Sequence, residues 1–360
     1  CAQHGTVCTI DMNGDGVVNS SDCVQTPIAG AGYSSYFALD ITDPNNPQLL
    51  WEFSNESLGF ATTGPAIVRI SAKKSDGVTP DHEKNGRWFV VFGSGPTGPI
   101  DTTTHQFKGY SDQNLKIFIF DLKNGPTSGN YWTIPTSLEY AFAGSMHNAP
   151  IDFDQKKPLS EGFYQDDAIY FGYTQAETFP PNSATKWTSG GVLRLLTLNS
   201  LYPDGSGDSS KAWKLSKVFS DNQPVTTAIA KLQNYKSNKV WLFWGTGRYY
   251  YKIGDIIDDA NNSRRLYGIV EPCFTSTGID FDCTSTLTPS DLDNATNSAS
   301  TDTDGWYIEL DMCTTKTGEI IDCSNPNAAF KTERSVSNPL ASKIGAVFFT
   351  TTKPSANVCE

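Results

Sequence analysis

Charge is scarce in this sequence. Asp, Glu, Lys and Arg make up 18% of its 360 residues, against roughly 25% in an average soluble protein. The basic side is the poorer one: 27 Lys and Arg against 39 Asp and Glu leave a net charge of −12. Such a surface repels phosphate backbones and anionic bilayers, so neither nucleic acid nor a membrane surface is an expected partner. Histidine is rarer still, at four residues, and no Cys-x-x-Cys pair occurs. A zinc centre therefore lacks its usual ligand spacings. No run of about 18 apolar residues exists to form a membrane-spanning helix. Helical periodicity is nearly absent. The Gly-x-Ser-x-Gly and His-Glu-x-x-His signatures of hydrolases and metalloproteases are missing as well.

Eight cysteines are present: Cys1, Cys8, Cys23, Cys273, Cys283, Cys313, Cys323 and Cys359. An even number clustered towards both ends points to disulfides made in an oxidising compartment, with reduced buried thiols as the plainer alternative. Cys273/Cys283 and Cys313/Cys323 each flank a short polar excursion, and Cys8 and Cys23 bracket an acidic loop. Cys1 and Cys359 remain, and could tie the two ends together. The chain opens at Cys1 without Met or signal peptide, which reads as processing, truncation or both.

The acidic loop carries the most specific chemistry. Residues 11–22 read DMNGDGVVNSSD. Side-chain oxygens fall at positions one, three, five, nine and twelve, with Gly16 at six, which is the spacing of an EF-hand-like calcium loop. Asp11, Asn13 and Asp15 would each supply a side-chain oxygen, and Val17 its backbone carbonyl. Asn19 would ligate directly or through water, and Asp22 stands where a bidentate Glu is usual. The plain alternative is a solvated acidic turn. A second acidic turn at Asp302, Asp304 and Gly305 has too few ligands in sequence to be read the same way.

Short strands rich in Val, Ile, Phe, Tyr and Trp fill the rest. Four end alike: WFVVFGSG from Trp88, AIYFGYT from Ala168, VWLFWGTG from Val240 and AVFFTTT from Ala346. A second type appears as YFALD from Tyr36 and IFIFD from Ile117, with Val192–Asn199 and Arg265–Val270 as further copies. Two more candidate strands separate the markers, giving a repeat of about 75–80 residues with four strands per copy. That is the unit of a β-propeller blade. The expected fold is therefore all-β: a quinoprotein-like propeller with blades at about 33–95, 115–174, 190–247 and 264–352. It would follow a calcium-loop segment, 1–32. A β-sandwich is the alternative. Loops are inserted at 71–86, 96–114, 154–166, 175–189 and 252–263. Four blades is the lower limit for closure, so the ring is expected to be part of a larger one.

Other features have plain readings. Gly93-Ser94-Gly95 and Gly245-Thr246-Gly247 end strands without the Lys or helix that a phosphate cradle needs, and read as turns. Tyr249, Tyr250 and Tyr251 after Arg248 read either as a partner-binding surface or as strand-end packing. Trp241 and Trp244 read as packing residues.

Several longer strings are distinctive: FALDITDPNNPQLLWEF from Phe37, PVTTAIAKL from Pro224, VWLFWGTGRYYYK from Val240 and ERSVSNPLASKIGAVFFTTTKP from Glu333. Together with GGVLRLLT, RLYGIVEPC and GWYIELD, they resemble the C-terminal propeller domain of the PilY/PilC family of type IV pilus biogenesis factors and tip adhesins, over about 33–359. The resemblance implies an exported, cell-surface, non-enzymatic protein that works with minor pilins to control pilus assembly and retraction and to promote adhesion. It implies Ca2+ as the bound ion, at a loop that Asp11, Asn13, Asp15, Val17 and Asn19 match here. In the family that loop normally lies inside the domain, so more propeller sequence, or a second polypeptide, is expected to complete the ring. The alternative is a cell-surface carbohydrate-binding or quinoprotein-like enzymatic propeller. The chain has no adjacent cysteines of the kind quinone sites often use, and a self-contained calcium loop leaves little Lewis acidity for a cofactor.

Overall fold

The structure is a computed structural model. It describes residues 16–18, 34–77, 79–81, 83–100, 107–155, 165–176, 189–206, 208–248, 252–253, 256–257, 263–302, 304–323 and 325–355. Within them the chain is all-β, with only three-residue 3-10 turns as helix. No described helix is long and apolar enough to cross a membrane.

Three antiparallel sheets follow one another. Sheet A joins Ala66–Ile70, Arg87–Gly93, Lys116–Asp121 and Tyr131–Pro135 in chain order. Sheet B joins Pro150–Ile151, Ala168–Gln175, Ser189–Leu196 and Lys214–Asp221, with Ala141–Ala143 on the far end of its second strand. Sheet C joins Ala230–Asn234, Lys239–Gly245, Arg265–Val270 and Gly305–Glu309, with Asp293–Asn294 added in parallel. A two-stranded sheet stands at each end: Tyr36–Asp40 with Gln48–Phe53, and Leu340–Ala341 with Val347–Phe348.

The sheets do not follow the divisions expected from sequence. Each begins at the Pro-led strand, continues through the Gly-ended strand and the marker strand, and finishes on the next strand along. A repeat has a period but no phase, so strand similarity fits either grouping; the hydrogen-bond ladders fix it. In this phase the N-terminal pair fills the third and fourth strand positions and the C-terminal pair the first and second.

Burial on both faces explains the continuous apolar runs. In Lys116–Asp121, Ile117 and Ile119 pack towards sheet B, while Phe118 and Phe120 pack towards the N-terminal pair. Alternate side chains of a strand point to opposite faces, so one strand serves two cores. Sheet B does the same: Ile169, Phe171, Leu193 and Leu195 meet sheet A, while Tyr170, Val192 and Leu196 meet Val240, Leu242 and Trp244 of sheet C. Each such side chain contributes about 1.5–3 kcal/mol by leaving water.

The recurring strand ending has a structural job. Ser94 Oγ accepts from Lys116 N at 3.0 Å and Thr246 Oγ1 from Arg265 N at 2.7 Å, stitching second strands to third ones. The preceding glycines are where the next sheet touches. A Cβ on Gly93 would stand 2.2 Å from Ala143 Cβ, and one on Gly172 2.4 Å from Val225 Cγ1. These segments are therefore strand ends in sheet-to-sheet contact rather than the turns expected from sequence.

Candidate functional site

The predicted calcium ligands Asp11, Asn13, Asp15, Asn19 and Asp22 lie outside the described residues. Val17 is described and exposed, beside Gly16 at a φ of +84°. Tyr249, Tyr250 and Tyr251, and Cys1, Cys8, Cys23 and Cys359, also lie outside. The other four cysteines form Cys273–Cys283 and Cys313–Cys323, with Cα separations of 5.6 and 5.2 Å. At the second acidic turn, Asp304 N donates to Asp302 Oδ1, and Asp302 N to Asp293 Oδ2. The carboxylates there cap backbone, and among the described residues no group of three acidic, Cys or His side chains is placed to hold a metal. Trp244 is fully buried and stacks on Tyr267 with ring centres 5.1 Å apart, as a packing residue would.

The described residues offer two polar constellations. The first is internal. Arg194, inside the apolar string GGVLRLLT, and Glu271, at the end of Arg265–Val270, are both buried and form an ion pair between sheets B and C. Arg194 Nη2 also donates to Ser216 Oγ at 3.0 Å and to the Cys283 carbonyl at 2.9 Å, and Glu271 Oε1 accepts from Cys273 N at 3.0 Å. Both ends of the Cys273–Cys283 loop are thus clamped onto the pair. Nearby, Tyr267 donates to Asp221 Oδ2 at 2.6 Å, across the same pair of sheets.

The second is a cleft of about 610 Å³ where the first strands of sheets A, B and C converge. Its centre is an adjacent carboxylate pair. Asp166 Oδ2 accepts from Arg69 N at 2.7 Å, and Asp166 N donates back to Arg69 O at 2.8 Å. Asp167 does the same for sheet B: its Oδ2 accepts from Phe153 N at 2.8 Å and its N–H donates to Ile151 O at 2.8 Å. The dipeptide therefore staples A to B. Burial pushes the Asp166 carboxyl up to about 6 and the Asp167 carboxyl up to about 8, with Asp152 raising both. Lys231 reaches in from sheet C and donates to the Asn148 carbonyl. Burial lowers its ammonium to about 8 against the pull of Asp166. Trp88 forms the rim, paired in register with Arg69, whose guanidinium lies 5.5 Å from the indole centre. Gln165 also lines a neighbouring groove of about 860 Å³ beside Tyr202 and Lys211.

Neither constellation was singled out from sequence. The signal for the first was a lone arginine in an apolar strand, since a buried charge demands a partner. The signal for the second was Asp166-Asp167 directly ahead of a buried strand, within what read as the end of a loop.

Comparison with known proteins gives a consistent picture. No family model matches the chain. A type IV pilus biogenesis factor PilY1 homolog of Xylella fastidiosa is 20% identical over 319 residues, covering 82% of this chain and 21% of that protein. PilY1 of Pseudomonas aeruginosa strain PAO1 is 24% identical over 263 residues, covering 66% of this chain and 18% of that protein. The chain thus spans about a fifth of the length of these curated relatives. The crystal structure of the Pseudomonas aeruginosa PilY1 C-terminal domain superposes with a TM-score of 0.55 at 19% identity, over 89% of this chain and 63% of that one. The chain is thus similar in sequence to these PilY1 proteins, and its all-β fold is that of the PilY1 C-terminal domain.

Proposed function

We propose that this chain is part of an exported, cell-surface type IV pilus biogenesis factor that works with minor pilins, controls pilus assembly and retraction, and promotes adhesion. The observation that carries this reading is the likeness of 89% of the chain to the PilY1 C-terminal domain, in agreement with the curated relatives. Two disulfides support a route through an oxidising compartment. The role is non-enzymatic. The sheets act as blades of a quinoprotein-like propeller. The two half-sheets are completed by further polypeptide, from the same protein or from a partner, because unpaired strand edges favour strand addition. The loop of Asp11, Asn13, Asp15, Val17, Asn19 and Asp22 binds Ca2+.

Deleting the coding sequence from its native host is expected to remove pilin from the sheared surface fraction. An affinity-tagged copy of the whole protein is expected to carry minor pilins through purification in calcium. Normal surface pilin in the deletion strain, with no pilin in the eluate, would sink the proposal. In calorimetry, Asp15→Ala is expected to abolish calcium binding; equal affinity in the variant would remove the calcium part alone.

A further inference from the structure

We propose that the cleft formed by Arg69, Trp88, Asp152, Asp166, Lys231 and Gln233 binds a neutral saccharide. Four features of the site favour that class of ligand. The volume of about 610 Å³ lies within the range of small-ligand sites, roughly 300–1,000 Å³. Arg69, Lys231 and Gln233 stand on first strands of sheets A and C and Trp88 on the second strand of sheet A, while Asp166, between strands, is tied to Arg69 by two hydrogen bonds.

The charges balance. Arg69 and Lys231 stand against Asp152 and Asp166, which leaves no net sign to select a phosphate or a free cation. What remains is a dense mixture of donors and acceptors, as vicinal hydroxyls require, because each hydroxyl donates once and accepts twice. The fold leaves some of that capacity unused. Asp166 commits Oδ2 to Arg69 N, while its Oδ1 takes no hydrogen bond among the described residues. Gln233 spends Nε2 on the Phe153 carbonyl at 3.1 Å, and its buried Oε1 has no partner among the described residues. An acceptor left unmade costs about 1–3 kcal/mol, so a hydroxyl that supplied the missing bond would bind favourably.

Finally, Trp88 is 46% exposed at the rim, a large apolar ring beside polar walls. Arg69 helps to fix its orientation. A flat indole next to carboxylates and amides suits the two faces of a pyranose: C–H groups against the ring, hydroxyls against the polar side chains.

The inference does not depend on the pilus reading, since the purified chain alone is enough to test it. A printed array carrying lactose, maltotriose, chitotriose and a heparin tetrasaccharide would be probed first, and hits measured by calorimetry. At least one neutral sugar is expected to bind at millimolar concentration or below. Trp88→Ala and Asp152→Asn are each expected to weaken it about tenfold or more, with unchanged thermal unfolding. Trp88→Phe is expected to recover part of the affinity, which a purely structural loss would not allow. Binding to no neutral sugar, to heparin alone, or with equal affinity in Trp88→Ala and Asp152→Asn would overturn the proposal. None of these outcomes bears on pilus assembly.

Discussion

Sheets A to C and the two end pairs use the same kinds of strand and reach opposite states. Phe118 and Phe120, in the third strand of sheet A, are buried, while Phe37, in the corresponding N-terminal strand, is 62% exposed. Leu340 and Phe348 of the C-terminal pair are exposed too, and Ile344 in its turn is 87% exposed. Strand chemistry is therefore not what separates them. The inner strands of sheet A have a sheet against each face, whereas each end pair has one packed face at most. Trp51 and Phe53 show the difference within one strand: they are buried against sheet A, and their neighbours Leu49 and Leu50 are exposed. The middle of the molecule is consequently where burial is concentrated, and the end pairs are where apolar surface is left exposed.

The sharpest way to break this contrast is inside the B–C junction. Glu271→Gln leaves Arg194 charged, buried and unpaired, which is expected to cost about 3–5 kcal/mol. Chemical denaturation should show a large fall in midpoint. The double change Arg194→Met with Glu271→Leu should recover much of the loss, because it removes both charges. A midpoint shift under 1 kcal/mol for Glu271→Gln would mean the pair is not holding the sheets together.

The A–B staple is expected to give a smaller effect that depends on pH. The folded carboxyls of Asp166 and Asp167 sit at about 6 and about 8, above the ordinary value of 3.8. Between those limits the folded state holds more protons than the unfolded one, so stability falls as pH rises. Asp152 and Asp154 strengthen the shift, while Arg69 and Lys231 oppose it at Asp166. Thermal unfolding at constant ionic strength should show stability falling steadily as pH rises from 5 to 8. Asp167→Asn should flatten the slope and keep the acceptor for Phe153 N. An unchanged slope in that variant would place the pH dependence elsewhere.

The smallest effect on stability is expected at the ends. Phe37→Ser with Phe348→Ser should change folding stability by about 0.5 kcal/mol or less, as exposed positions usually do. Association is where these positions matter. Wild-type chain is expected to scatter light above its monomer mass of 39.3 kDa as concentration rises, and the double variant much less. Equal scattering by both would show that the exposed apolar residues of the end pairs do not drive self-contact.

Much of the architecture was legible in the sequence because it depends on local pattern. Runs such as IFIFD and AIYFGYT announce strands with both faces covered, and their recurrence announces a repeated sheet. Cys273/Cys283 and Cys313/Cys323 announced their own pairing, because short loops bring the ends together. The family resemblance was legible for the same reason, since strand strings such as VWLFWGTG carried it. The grouping of strands was not, because a repeat looks the same from any starting strand and only the ladders choose one. The polar sites were hidden too. Arg194 and Glu271 lie far apart in sequence, as do Arg69, Asp166 and Lys231, and their chemistry exists only once three sheets are stacked. What sequence determined alone was each strand's two-faced character; what the tertiary structure decided was which faces find a neighbour, because burial is a property of pairs of sheets and not of any single strand.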